Sequence, residues 1–488
     1  MRRSTSMSHR AALHAFLLAL AASLGGPCGA KTLATGGAPP RVILILVDGV
    51  RWDYLDEPQL PGFTALARDG VKAKYVVPIM PANSYPNWYS IVTGLYGESH
   101  GFVQNYMYDE IYDDYFEMAP NPNASHAHWW NHAEPIWVTA EKNGLRTAMY
   151  WWDGCQVEIS GTKPTFCLPY KGYWGWDNVT EDTQEALSKV LSEFEADKLN
   201  FALVYFEAVD ARGHQAGPDS PERRKALQDA DAVIKHLLDD INRRKMQDQV
   251  SVVVVSDHGM ADTADKKVTV IDIEPLLDYN DIQVMLDGGS FSMLRPYPDK
   301  IEKVYNDLTN ANIKGLHVYK REGLPDMFHL KHTYLTQPLV LTADPGYYIK
   351  KLNNTEKMKP MSSRIYKGNH GYDPLQTEDM RAIFLASGPG HHAGTLELQK
   401  CLVTRSPFSS GRLKGPMQHQ KASRRSSVLK RSPPFSDAKM SSISGNGYCS
   451  IGQALFKVDD EFLVRDQFGD VSYHRSLQFM KDGALGYD

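Results

Sequence analysis

Seven side chains in five separated clusters have the types needed to hold two metal ions around a phosphoryl group: Asp48, Ser84, Asp210 with His214, Asp257 with His258, and His370. Oxygen and imidazole donors without cysteine suit Zn²⁺ held by Asp and His. Ser84 is the candidate nucleophile, because metal coordination lowers the pKa of an otherwise poor hydroxyl nucleophile. Asp210 and His214 stand four residues apart, which on a helical turn puts both on one face. Asp257 and His258 are adjacent and can converge on one ion from a turn. Each cluster taken singly also fits a blander role, an Asp after a strand as a turn residue or a Ser before a helix as its cap. All five in one chain point to a single two-zinc site for phosphoryl transfer.

Two of the clusters end apolar runs. Asp48 follows Val42-Ile43-Leu44-Ile45-Leu46-Val47, and Asp257 follows Val252-Val253-Val254-Val255-Ser256. Such runs read as buried parallel strands, and open α/β sheets gather their chemistry at the carboxyl ends of such strands. Other strands are expected at 73–77, 146–151 and 201–206, and helices at 61–69, 86–93, 135–142, 181–195 and 221–244. This alternation predicts an α/β fold, a mostly parallel sheet flanked by helices on both faces. Tyr85-Pro86-Asn87 opens a helical pattern, so Ser84 is expected at a helix N-terminus, where free amides and the dipole favour a phosphate anion.

With 488 residues, 42% of them hydrophobic and 23% charged, the chain has an ordinary globular composition and room for one large domain or two smaller ones. A net charge of −5 suggests neither nucleic acid nor a polybasic membrane surface as partner. Arg2, Arg3 and Arg10 precede an apolar run from Ala11 to Leu24, and small residues follow at Cys28 and Ala30; residues 1–30 read as a secretory signal. Sequons at Asn123, Asn178 and Asn353 fit that route as glycosylation sites. Cys155 and Cys167 flank a short segment and could pair in an oxidising compartment. No hydrophobic C-terminal tail is seen, so a lipid anchor is not expected. The chain changes character after Pro389: residues 391–488 form an atypical region, and 403–447, rich in Ser, Pro, Lys and Arg, is expected to be disordered.

The wording around the clusters carries a family resemblance. Val47-Asp48-Gly49, Ser84-Tyr85-Pro86-Asn87, Thr93-Gly94-Leu95-Tyr96, Asn105-Tyr106-Met107-Tyr108-Asp109, Gly213-His214, Gly217-Pro218, Ser256-Asp257-His258-Gly259-Met260 and His370-Gly371-Tyr372-Asp373 resemble the ectonucleotide pyrophosphatase/phosphodiesterase family, part of the alkaline phosphatase superfamily. The resemblance runs from about Arg41 to about Pro389, giving an expected catalytic domain at 41–390 with an alkaline-phosphatase-like fold. It implies that Asp48, Ser84, Asp257 and His258 hold one zinc, and that Asp210, His214 and His370 hold the other. It implies for Asn105 a hydrogen bond to a phosphate oxygen in the transition state. It also implies the Cys155–Cys167 disulfide.

Within the family the chain is most similar to the choline-specific branch, through serine at the nucleophile position and Gly154-Cys155-Gln156-Val157-Glu158-Ile159 followed by Pro164-Thr165-Phe166-Cys167. That similarity implies a secreted or cell-surface enzyme releasing phosphocholine from glycerophosphocholine or lysophosphatidylcholine. Ser84 would carry the phosphocholine group covalently before water removes it. A homodimer is a possible assembly. Aromatic faces bind a quaternary ammonium; the candidates are Tyr170 and Tyr205, then Tyr173, Trp174 and Trp176, with Trp151 and Trp152 as potential core. Glu181, Asp182 or Glu185 would supply the anionic partner. His126, His128 and His132 sit in a polar, Trp-containing stretch that reads as a surface loop. The alternatives are a nucleotide pyrophosphatase, whose relatives usually carry threonine at the nucleophile, and a non-catalytic secreted protein on the same fold. The complete ligand set argues against the second.

Overall fold

The run Arg41–Val47 forms a strand buried at every position. Successive side chains of a strand point to opposite faces, so complete burial means that both faces are covered. This strand lies inside a seven-stranded sheet with the spatial order Val71–Lys72, Phe384–Ser387, Val250–Val255, Arg41–Val47, Phe201–Phe206, Thr147–Tyr150, Phe166–Leu168. Arg41–Val47 pairs in parallel with both Phe201–Phe206 and Val250–Val255, with Leu46 beside Tyr205 on one side and Val255 on the other. Thr147–Tyr150 and Phe166–Leu168 continue the parallel set, whereas Phe384–Ser387 runs antiparallel to Val250–Val255. The parallel register makes Val47, Phe206 and Val255 end together. Whatever follows those three residues is therefore delivered to one edge of the sheet.

The structure is a computed structural model describing residues 41–360 and 365–389; beyond these it gives the backbone of four short strands, Cys401–Leu402, Cys449–Ser450, Leu463–Arg465 and Val471–Tyr473. The expected signal segment at 1–30, the biased stretch at 403–447 and most of 391–488 lie outside the described residues. Among the described residues no helix is long and apolar enough to cross a membrane.

The expected helices form at Pro61–Arg68, Ser84–Thr93, Ile136–Lys142, Val179–Glu195 and Pro221–Arg243, joined by Ala208–Ala216. The longest of them starts where Ser220 accepts a hydrogen bond from the Arg223 amide, a side-chain cap. It packs against Pro61–Arg68, Val179–Glu195 and Ala208–Ala216. Its buried Asp231 accepts from the amides of Gly62 and Phe63, satisfying two donors at the start of Pro61–Arg68.

Two expectations change, and the fold adds a second sheet. The strand expected at 73–77 is two short ones, Val71–Lys72 and Val76–Val77, in different sheets. The stretch holding His126 and His128 is not a plain surface loop: it contains the helical turn Ala127–Trp130, with Trp129 and Trp130 buried. A second sheet was not anticipated at all. Its order is Leu316–Lys320, Leu339–Ala343, Phe291–Pro296, Ile282–Leu286, Met358–Lys359, and with the helix Ile301–Asn310 it encloses a core that includes Met285, Leu294, Val304, Leu308 and Leu341. Residues beside its strands, including Ser290, Tyr348 and Lys351, reach the wall of the cavity described next.

Candidate metal centre and catalytic site

At the carboxyl edge of the sheet six of the seven ligand candidates converge in two adjoining groups, with Ser84 beside the first. Asp48, Asp257 and His258 form one, and Asp210, His214 and His370 the other. In the first, His258 Nε2 lies 3.5 Å from Asp48 Oδ1, 3.4 Å from Asp257 Oδ2 and 3.2 Å from Ser84 Oγ. In the second, His214 Nε2 lies 3.4 Å from Asp210 Oδ2 and 3.1 Å from His370 Nε2. The rings of His258 and His370 stack at 3.6 Å between centroids, which joins the two groups.

Local structure explains this convergence. Asp210 and His214 share one face of the helix Ala208–Ala216. Gly49 follows Asp48 at φ +71°, and a Cβ there would sit 2.8 Å from Asp210 Cα, so only glycine lets the two ligand-bearing segments approach. Gly371, after His370, has φ +94°, and a Cβ there would meet Ser290 Oγ and Asn83 Oδ1.

Each histidine has its Nδ1 against an oxygen that can only accept. His258 Nδ1 faces Gly259 O at 2.9 Å, His214 Nδ1 faces Gly368 O at 2.8 Å, and His370 Nδ1 faces Ala82 O at 3.0 Å and Asn83 Oδ1 at 2.9 Å. Nδ1 must therefore carry the proton, and the lone pair of every Nε2 points into the cluster. The carboxylates are braced in a similar way. Tyr205 donates its hydroxyl to Asp48 Oδ2 at 2.6 Å, and Trp88 Nε1 donates to Asp257 Oδ2 at 2.7 Å. Such outer partners fix ligand orientation.

The cluster fits cations and is ill at ease without them. Asp48 Oδ1 and Asp210 Oδ1 are buried with no hydrogen-bond partner, a situation that costs about 1–3 kcal/mol per group and more when charged. Burial, then the charges of Asp257 and Asp210, push the Asp48 carboxyl well above its usual range. Burial pushes Asp210 up to about 7. Burial also holds His214 and His370 below the ordinary imidazole value, with the neighbouring His258 and His214 adding to the effect on His370. Crowded carboxylates that resist ionising, facing imidazoles that resist protonation, are both relieved by positive charge placed between them.

Ser84 is the first residue of the helix Ser84–Thr93, not its cap. Asn83 takes the cap position, yet its side chain makes no capping bond, because its oxygen serves His370 and its amide donates to Gln104. Asn105 accepts from the Tyr85 amide at 3.0 Å through Oδ1, which leaves its NH₂ end for a ligand. Ser84 and Asn105 both line one cavity of about 580 Å³ together with Asp48, Asp210, His214 and His370.

The same cavity places the aromatic candidates. Tyr170, Trp174 and Tyr205 line it, whereas Trp151, Trp152 and Trp176 do not and are buried core residues. Tyr205 is 3% exposed and its hydroxyl is committed to Asp48, so it also supports that carboxylate. None of the acidic candidates Glu181, Asp182 and Glu185 lines the cavity; Asp182 instead accepts from Trp176 Nε1. Besides the candidate metal ligands Asp48 and Asp210, the acids that do are Asp287 and Glu207, and Glu207 is the one beside the aromatic candidates: it accepts from the Tyr170 hydroxyl at 2.9 Å and the Tyr173 amide at 3.0 Å. Burial pushes its carboxyl up to about 7. Glu207 follows the strand Phe201–Phe206, the same strand-end signal that marks Asp48, and could have been found by it.

Cys155 and Cys167 form a disulfide, with Cα atoms 5.6 Å apart. The strand Phe166–Leu168 beside it leads towards Tyr170. Replacing both cysteines by serine should lower stability by roughly 3 kcal/mol, the entropy of the loop they close, as read from urea unfolding; unchanged stability would contradict this. Of the sequon residues, Asn178 and Asn353 are exposed and Asn123 is half-buried.

Comparison with known proteins agrees with this arrangement at the level of family. The family model described as type I phosphodiesterase/nucleotide pyrophosphatase matches residues 42–373. Human ectonucleotide pyrophosphatase/phosphodiesterase family member 7 is 33% identical over 386 residues, 78% of this chain and 81% of that protein. The bis(5'-adenosyl)-triphosphatase of Xenopus laevis is 33% identical over 358 residues, covering 73% and 74% respectively. Among solved structures, an inactive variant of murine family member 5 in complex with AMP superposes with a TM-score of 0.65 at 33% identity, covering 74% of this chain and 90% of that one.

Proposed function

The chain belongs to the type I phosphodiesterase/nucleotide pyrophosphatase family, and from that premise we propose that it is an extracellular phosphodiesterase acting on choline-bearing esters such as glycerophosphocholine and lysophosphatidylcholine. The observation that carries the choline reading is Glu207, a buried carboxylate set beside the Tyr170 hydroxyl in the cavity that also holds Ser84. A quaternary ammonium has no hydrogen-bond donor, so aromatic faces and a nearby negative charge must select it. The sequons at Asn123, Asn178 and Asn353 fit an extracellular glycoprotein.

In this reading Asp48, Ser84, Asp257 and His258 would hold one zinc, and Asp210, His214 and His370 a second. Bound there, the cations would supply Lewis-acid charge that favours the Ser84 alkoxide and offsets the charge of the phosphoryl oxygens. Ser84 Oγ attacks phosphorus and the glycerol or acylglycerol oxygen departs, leaving phosphocholine on the serine. Water then hydrolyses that ester and frees Ser84. The Asn105 amide donates to a phosphoryl oxygen as its charge grows. The braced Nδ1–H groups keep each imidazole lone pair aimed at the site, so the chain does not need to reorganise during the reaction.

Glu207→Gln tests the headgroup. It keeps the side chain's size and removes its charge. Turnover of glycerophosphocholine should fall about tenfold in kcat/KM, the ~1–2 kcal/mol of one desolvated cation contact. An aryl phosphodiester without choline should be spared. Equal loss on both substrates would refute the assignment of Glu207. A second reading, a nucleotide headgroup, is favoured by the AMP complex of the murine relative; a wild-type enzyme that prefers nucleotide esters and yields no phosphocholine would establish it instead.

A further inference from the structure

Outside the cavity, a second kind of donor cluster stands on the hairpin formed by Tyr106–Asp109 and Asp114–Glu117. Asp114 opens the second strand of that hairpin, and His126 and His128 flank the start of the helical turn Ala127–Trp130. His126 Nδ1 lies 2.6 Å and His128 Nε2 3.4 Å from the same oxygen, Asp114 Oδ2. One donor atom from each of the three residues falls within 4.8 Å of the others. None of the three lines the catalytic cavity.

A hydrogen-bonded ion pair accounts for His126 and Asp114, whereas His128 stands at ion-pair distance from the same oxygen without a hydrogen bond. Its Nε2 is buried and has no hydrogen-bond partner, and an orphaned ring nitrogen of this kind calls for an explanation. The ring is not free to turn away, since Tyr112 stacks on it at 4.2 Å and Trp129 packs at 4.6 Å. Asp114 is braced as well: Oδ1 accepts from the Tyr115 amide, and Trp129 Nε1 donates to Oδ2 at 3.2 Å. Oriented ligands with outer partners are how metal sites are built.

We propose that Asp114, His126 and His128 form an accessory site for a zinc-class divalent cation, separate from the catalytic groups. Two imidazoles and one carboxylate suit Zn²⁺ and not Ca²⁺ or Mg²⁺, which take oxygen ligands. His126 is half-exposed, so a fourth position opens to water. The bound ion ties the hairpin to the helical turn. That hairpin begins one residue after Asn105, so the site sits on the segment that carries Asn105 without touching the reaction.

The test is metal content. The full chain is stripped, re-equilibrated with Zn²⁺ and analysed for zinc per chain, as wild type, as His126→Ala and as Asp114→Asn. Both variants should hold one zinc fewer than wild type while turnover of an aryl phosphodiester is unchanged. A measurement that needs no variant accompanies it: Zn²⁺ should protect the half-exposed His126 of the wild-type protein from carbethoxylation, read by peptide mass spectrometry. Equal zinc content in wild type and variants, or equal labelling with and without Zn²⁺, overturns the site.

Discussion

Ser84→Ala should remove essentially all turnover, a loss of about 10⁴-fold or more in kcat, because in the proposed mechanism it deletes the atom that attacks phosphorus. The fold should be untouched. The Ser84 hydroxyl makes a hydrogen-bond contact to His258 Nε2 at 3.2 Å, and the helix it begins is held by Asn87 donating to Asn83 O and by the hydrogen bond from the Tyr85 amide to Asn105. Thermal unfolding of the variant should therefore match wild type within about a degree, and the zinc content should persist because six other candidate ligands remain. Steady-state kinetics on glycerophosphocholine and on an aryl phosphodiester would read the effect. Wild-type-like rates on either substrate would remove Ser84 from the mechanism.

Stripping the metals should be equally damaging to activity and, unlike the serine change, should also weaken the fold. Exhaustive chelation is expected to abolish turnover, with Zn²⁺ restoring it. Without cations, Asp48 and Asp210 face each other's charge with buried, unpartnered oxygens. Ligand binding at about a thousand times its Kd stabilises a native state by about 4 kcal/mol, so melting should fall by several degrees on chelation. The pH dependence has a definite sign. The Asp210 carboxyl of the metal-free fold ionises only at about 7, against 3.8 for the free side chain. Between those values the folded state holds more protons than the unfolded one, so stability of the stripped protein should drop as pH rises from about 4 to about 7. The zinc-loaded protein, with its carboxylates already ionised, should not show that drop. Full activity after chelation, or stability of the stripped protein that rises across that range, would contradict the metal-centre reading.

The sequence alone determined the chemistry-bearing residues and the elements they end. The apolar β-branched runs before Asp48 and Asp257 admit little else than doubly covered strands, and the four-residue spacing of Asp210 and His214 puts both on one face of a helix. Local pattern therefore carried the parallel sheet and named the candidate ligands that the fold brings together. Tertiary structure decided what depends on neighbours distant in the chain. The second sheet is built of short, mostly antiparallel strands whose partners lie across loops, so no local periodicity announces them. Asn83 stands at the cap position before Ser84, yet its side chain serves His370, 287 residues away in sequence, a contact no spacing could reveal. The same holds for the acid beside Tyr170. Glu181, Asp182 and Glu185 follow the aromatic run in sequence, but the helix Val179–Glu195 leaves none of them in the cavity wall. Glu207 reaches it because the parallel register ends Val47, Phe206 and Val255 together. That register comes from packing both faces of the sheet, and no single segment of the chain contains it.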